Sequence, residues 1–519
     1  MPAHPRLRRL VLAAVVLIAL VGAAAAILTS REPGDFSNPD VEFRADDTNP
    51  NAPVKPTEGS ETASFTWPVY GYDKARTRYL PLAKPFRPPF AERWAAPGNV
   101  LLEFPPALGG KSLYILRDDG TVLARSRKTG RLRWRRKLGH LAASSPAYAR
   151  GTLYFTLLER GKGVRAGRVV ALSAKDGRTR WSRRLPSRSE SSPLVDRGKL
   201  YFGSENGTVY ALGIGRGKVV WTHKARGAVK GGLALDGGRL FLATYGGNVE
   251  ALRPRDGKLI WRSGTSGGKF GLRSGNFYAT PSAAFGRVYI GNTDGFVYSF
   301  AQSSGKLAWR KKTGNFVYSS AAVAQVPGTP PTVYVGSYDR NIYALNARTG
   351  SVIWKHYTEG RVSGGTVLLG DLLFYSTLAR TTTALRAKDG KKIWFTPRGG
   401  FNPVVSTGRG IFLVGYAALY GLDGRPPKTG PQALKDRQAR YRETQRKVMI
   451  RRVLQRADAR NRRVAARRAL IRRRNAQIAA GVKFCTRMKG IVRCRAPRPL
   501  LCAKRGSDGR TVCRPRKRP

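Results

Sequence analysis

Cysteine is missing from everything before Cys485, and histidine occurs only four times in 519 residues. The body of the chain is therefore held by neither disulfides nor thiol chemistry. His4, His140, His223 and His356 are scattered, without metal-ligand spacing. Acidic residues are few as well, 31 Asp and Glu against 95 Lys and Arg. No glycine-rich phosphate loop follows a strand and opens a helix, and no nucleophile elbow is present. Asp118, Asp119, Asp294 and Asp339 fall at turns, where hairpin chemistry explains them. Nothing in this inventory argues for catalysis.

Long apolar runs are equally rare. The stretch Leu10–Leu28 is unbroken and long enough to span a bilayer as a helix. Arg6, Arg8 and Arg9 precede it, while Glu32, Asp35, Asp40 and Glu42 follow, which places residues 1–9 in the cytoplasm. A cleaved signal peptide competes, since 22–26 reads GAAAA, but the run exceeds a typical signal core. We expect a single-pass signal anchor with everything after it outside the cytoplasm. Residues 29–65 carry Pro33, Pro39, Pro50, Pro53 and Pro56 with few large apolar residues, and read as a disordered acidic linker.

What the chain does have is a repeat. ALNARTGSVIW (344–354) recurs as frames ending in Trp134, Trp181, Trp221, Trp261, Trp309 and Trp394. Each keeps a glycine four residues before its tryptophan: Gly130, Gly177, Gly217, Gly257, Gly305, Gly350 and Gly390. Six of the seven keep alanine ten before it, and the seventh has Ser299. The tryptophans are 40 to 48 residues apart, the period of a four-stranded propeller blade. Upstream of each frame lie two β-branched and aromatic runs around a tight turn, as in VYIGNTDGFVYSF (288–300). Residues 410–424 hold the inner strands of an eighth repeat but run into Pro426 and Pro427 without a closing strand. FAERWAAPG (90–98) supplies it, with Trp94 forty residues before Trp134. The reading is an all-β, eight-bladed propeller over 66–425, closed by its own N-terminal strand. Insertions near 157–168 and 264–280 place longer loops on the ring faces.

The frame Ala-x-(Asp/Asn)-x-x-Thr-Gly-x-x-x-Trp, complete at 344–354, resembles the tryptophan-docking repeat of quinoprotein propellers, the pyrroloquinoline-quinone (PQQ)-like repeats. The lead-in TWPVYGYDKARTRYLP (66–81) is similar to the segment before the first blade of such proteins. The resemblance implies the fold strongly and the function weakly, because both alcohol dehydrogenases and non-enzymatic scaffolds such as the outer-membrane assembly lipoprotein use it. A dehydrogenase of this kind implies PQQ with calcium on the ring axis, a carboxylate base and an adjacent cysteine pair in the propeller. The pair is absent here, as is the haem-attachment motif C-x-x-C-H. No cofactor is expected, except PQQ with calcium under that alternative.

From Pro431 the composition changes. Residues 431–480 are rich in Arg, Ala and Gln and read as a helix with a narrow apolar stripe. Its candidate contacts to polyanions are Arg451, Arg452, Arg462, Arg463, Arg467, Arg468, Arg472, Arg473 and Arg474. Residues 481–519 form a small basic cysteine unit. Cys485 and Cys494 are symmetric about Lys489-Gly490, and Cys502 and Cys513 about 506–509. Outside the cytoplasm disulfides 485–494 and 502–513 are favoured among three connectivities. A zinc site lacks both C-x-x-C spacing and histidine there. The whole 431–519 segment has 30 Lys and Arg against 4 Asp and Glu, a net +26 of the chain's +64. Such a surface suits envelope proteins or anionic cell-surface polymers as partners. Cytoplasmic nucleic acid fits the charge but not the anchor or the cysteines. A non-enzymatic, membrane-anchored scaffold is the leading reading, and a quinone-dependent oxidoreductase the other.

Overall fold

The computed structural model describes residues 34–44, 67–82, 85–158, 166–265 and 275–424. Beyond these it describes scattered positions from 465 to 476 and the backbone of four strands after residue 483. Among the described residues, eight four-stranded antiparallel meanders form a propeller. Blades 1 to 7 span 107–137, 147–185, 194–224, 234–264, 282–312, 322–357 and 367–396. Blade 8 takes its three inner strands from 404–423, and Glu92–Ala96 pairs with Leu419–Asp423 as its outer strand. One blade thus contains both ends of the propeller, and the ring is closed without an open radial edge.

The repeated frame has a packing cause. Ala344 lies directly across the outer hairpin from Trp354, with a register shift at the next residue. Ser299 stands opposite Trp309 in the same way. A small residue there leaves room for the indole. In blade 8 the partner of Trp94 is Gly421, whose added Cβ would come within 2.4 Å of the ring. Each indole then leaves its own blade and covers the next. Trp309 is fully buried, donates Nε1–H to the Ala347 carbonyl at 2.9 Å and lies against Gly350. Gly350 has φ 75°, and a Cβ on it would meet the Trp309 ring at 2.7 Å. Trp94, Trp134, Trp181, Trp221, Trp261 and Trp354 meet Gly130, Gly177, Gly217, Gly257, Gly305 and Gly390 identically. Trp394 differs because blade 8 has no such turn. Its indole N–H has no partner among the described residues, and Phe90 packs edge-on against it at 5.2 Å.

The lead-in is a plug. Backbone bonds tie Trp67, Pro68, Lys74, Ala75, Thr77 and Arg78 to the inner strands of blades 1, 2, 4, 5, 6 and 7. Tyr79–Leu80 runs parallel to Val367–Leu369 as an extra inner strand of blade 7. Arg76 has no exposed surface and donates to the carbonyls of Tyr70, Leu233, Ser192 and Pro193. The axial channel is thereby closed from one side.

Residues 34–44, expected to belong to an unstructured linker, are instead a strap across blade 5. Phe36–Ser37 pairs with Leu307–Lys312, and Val41 and Phe43 pack against a core containing Phe285, Tyr289 and Trp309. The remainder of the linker lies outside the described residues. So do the expected span 10–28 and nearly all of the expected 431–480 helix. Among the described residues no helix is long and apolar enough to cross a membrane. In the C-terminal unit, Phe484–Met488 pairs with Ile491–Arg495 and Leu500–Arg505 with Arg510–Pro515. The backbone register sets Cys485 across from Cys494 and Cys502 across from Cys513.

Candidate functional site

Antiparallel meanders send the loops before each inner strand, and those between the second and third strands, to one face of the ring. The residue four positions before each inner strand occupies the same slot around the axis. From blade 1 to blade 8 these are Glu103, Ala143, Glu190, Lys230, Tyr278, Tyr318, Ser363 and Gly400. Two residues past the second strand is another shared slot, holding Asp118, Glu205, Tyr245, Tyr338 and Tyr416 among others. Of the first slot, Glu103, Glu190, Lys230, Tyr278, Tyr318 and Ser363 line a mouth of about 480 Å³, counting its solvent-open part, with Tyr70 of the plug. The second slot borders it, Glu205 and Tyr245 through Lys230. A belt of hydroxyls stiffens the mouth from blade to blade. Ser192 accepts from Ser145 N–H, Thr280 from Gly232, Ser320 from Thr280 and Thr366 from Ala322, all at 2.8–3.0 Å.

The mouth is divided by chemistry. On the side of blades 1 to 4 lie Glu103, Asp118, Glu190 and Glu205, with Lys230 among them and Arg188 3.8 Å from Glu205, in a chain whose net charge is +64. Lys230 bridges Glu190 at 2.9 Å and Glu205 at 3.2 Å and lies 5.1 Å from the Tyr245 ring centre. Burial raises the Glu190 carboxyl, whereas bonds from Glu190 and Lys230 outweigh burial at Glu205 and lower it. Glu103 has no such partner among the described residues, and burial with the nearby Asp118 and Glu190 pushes its pKa up to about 7. Burial, with Asp119 beside it, raises Asp118 to about 6. On the side of blades 4 to 6 an aromatic arc runs Tyr245–Tyr278–Tyr318–Tyr338 with centroids 4.9–6.1 Å apart. Tyr278 also donates to Glu190 at 3.4 Å.

Of the residues singled out from the sequence, the tryptophans and turn glycines build the blades. Among the candidate arginines only Arg472 and Arg473 belong to the described residues, and the four cysteines are described by backbone register alone. Asp119, Asp294 and Asp339 cap turns by accepting from Thr121, Phe296 and Asn341 N–H. Asp118 instead stands beside Glu103. His223 bonds to the fully buried Glu250 at 2.8 Å, and Arg262 and Arg226 N–H complete that carboxylate's shell. Of the long insertions, 159–165 and 266–274 fall outside the described residues, but the second leads directly into Tyr278. The described residues that flank both segments stand at the mouth-face ends of their strands.

Residues 91–166, 118–318 and 293–425 match the family of the outer membrane protein assembly factor BamB. The chain belongs to that family. BamB from Moraxella catarrhalis has 17% identity and a TM-score of 0.52, covering 64% of this chain and 99% of its own. A europium-containing methanol dehydrogenase has 15% identity and a TM-score of 0.57, over 69% and 98%. The quinohemoprotein alcohol dehydrogenase ADHIIG of Pseudomonas putida HK5 has 14% and 0.56, over 70% and 81%. These likenesses establish the fold. No curated protein matches the chain. PQQ carries three carboxylates and, without a cation beside it, would meet Glu103 and Glu190 in this mouth with Lys230 already engaged. Calcium would offset that charge. Among the described residues no three His, Cys, Asp or Glu converge as a metal-binding group.

Proposed function

We propose that this chain is a non-enzymatic binding scaffold of the cell envelope, whose axial mouth receives a positively charged segment of a protein partner. One observation carries the reading. The mouth holds Glu103 and Glu190 in its lining, with Asp118 and Glu205 beside them, opposite a tyrosine arc, in a chain of net charge +64. A lysine or arginine side chain gains there from charge-assisted bonds and from ring faces together. The plug makes the site a dead end that suits side chains of a loop or terminus rather than passage through the ring. Kinship with an outer-membrane protein assembly factor supports protein binding in the envelope.

The finer parts of the reading are that 10–28 anchors the chain and that the propeller and tail lie outside the cytoplasm. Disulfides 485–494 and 502–513 then close the C-terminal hairpins, and the arginines of 431–480 hold anionic polymer. The test is titration of the purified chain with a lysine- and arginine-rich peptide and with its glutamate-rich counterpart, followed by tyrosine fluorescence. Binding of the basic peptide alone, weakened by Glu103→Gln with Glu190→Gln, is the expected result. Calcium-dependent uptake of PQQ with dye-linked alcohol oxidation would overturn it in favour of an oxidoreductase.

A further inference from the structure

We infer that the propeller sits against the membrane by the mouth-side rim of blades 5 to 8, with the anchor proposed above as its starting point. The strap sets the geometry. Its first residues, Gly34 and Asp35, bond to Arg310, Lys311 and Lys312 at the end of blade 5's outer strand, which leads into the mouth-face connection. Its far end reaches the opposite face, where Glu42 accepts from Ser303 N–H at 2.9 Å and Arg44 N–H bonds the Phe285 carbonyl. The chain therefore runs from the mouth face outward, and it enters there. From Leu28 to Gly34 six Cα steps span at most roughly 20 Å. A free linker up to Trp67 would reach roughly 130 Å. The strap turns a long tether into a short one fixed to one point of the rim.

A second observation lies beside that point. On the mouth face of blades 5 to 8, Phe316, Tyr357, Leu378 and Tyr416 are 46, 60, 38 and 40% exposed. Three arginines stand among rings there. Arg340 lies 5.0 Å from the Tyr357 ring centre, Arg361 5.7 Å from Tyr338 and Arg380 3.8 Å from Tyr416. Amphipathic rings with cations between them are the composition of a surface seated in anionic headgroups. The carboxylates of the mouth lie toward blades 1 to 4, away from this apron. A partner segment emerging from the bilayer would thus meet the mouth directly.

The experiment places the full chain in vesicles of phosphatidylethanolamine and phosphatidylglycerol containing an acceptor-labelled lipid. A donor dye is attached at position 315, on the mouth-side rim, or at 111, on the opposite face of blade 1. Energy transfer should be stronger from 315. A flexible insert of about 20 residues after Arg31 leaves the propeller untouched and should abolish the difference. Arg340→Glu with Arg361→Glu should reduce it. Equal transfer from both positions of a membrane-bound chain overturns the orientation. A chain recovered in the soluble fraction overturns the anchor, and the orientation falls with it.

Discussion

Single residues show which sequence signals were readable and why. Gly350 and Trp309 are legible because one geometric demand, an indole lying on a turn with no Cβ, is repeated seven times. Gly350→Ala adds a side chain at φ 75° and 2.7 Å from the ring. It should cost about 2 kcal/mol or more, read as a lower denaturant midpoint. Glu250 was not legible, since it is the one carboxylate at a position where the other repeats carry Leu123, Val170, Tyr210, Tyr298, Tyr343, Thr383 and Tyr420. Burial raises its carboxyl, but His223, Arg262 and Arg226 N–H outweigh burial and hold it below the ordinary range. Glu250→Ala leaves Arg262 without its partner and should cost about 3 kcal/mol. A carboxyl lowered by folding stabilises above its unfolded pKa and loses this as pH falls through the folded value. The wild-type advantage over Glu250→Gln should therefore shrink in acid. Glu103 and Asp118 have the opposite sign. Raised to about 7 and about 6, they favour folding while protonated and lose that contribution as pH rises through those values. Affinity for a basic peptide should climb over the same interval as both ionise. Peptide titrations between about pH 5 and about pH 8 check this, and a flat profile would remove Glu103 and Asp118 from the site.

At the scale of elements, blades were readable and the pieces that cross them were not. Strand alternation, turn glycines and the tryptophan period all report contacts within a blade or to its neighbour. The mouth and its border are built from one or two residues per repeat, outside every strand, and these differ in type. Only superposing the repeats on their inner strands lines up Glu103, Glu190, Lys230, Tyr278 and Tyr318. The strap was hidden by its proline and acids, with Phe36, Val41 and Phe43 as its apolar signal. Its partner was hidden too, as one of 95 cations. Arg287 is fully buried and gives hydrogen bonds to the carbonyls of Pro39, Val41 and Glu42, besides Ala347 and Arg348. Its ring neighbour is Phe43, 5.0 Å from the guanidinium. Removing 34–44 takes away most of those acceptors and the Phe43 ring, leaving the guanidinium the carbonyls of Ala347 and Arg348. The loss should be about 3 kcal/mol or more. Arg287→Met should recover part of it in the strapless chain while destabilising the intact one. Additive effects in that double-mutant cycle would mean that strap and arginine act independently.

The whole molecule combines an acidic mouth with a basic body. The +26 of 431–519 leaves +38 on the remainder, so both parts should attract polyanions, the tail more densely. Contacts of this kind release counterions, and the number of charges neutralised sets how steeply affinity falls with salt. Like charges at four-residue spacing, such as Arg463 with Arg467 and Arg468 with Arg472, oppose a helix by a few tenths of a kcal/mol per pair. An acidic polymer relieves that repulsion, so binding and helix formation should be coupled. Two chains separate the contributions: the full protein, and one ending at residue 430 that keeps the ring, plug and strap. Both are titrated with polyglutamate across a salt series, with circular dichroism recorded alongside. The full chain should show the steeper logarithmic salt dependence and a gain in helical signal on binding. The shortened chain should bind more weakly, with a shallower slope and no helical gain. Equal slopes for the two would show that the tail arginines are a solvated surface and that the propeller alone carries the polymer.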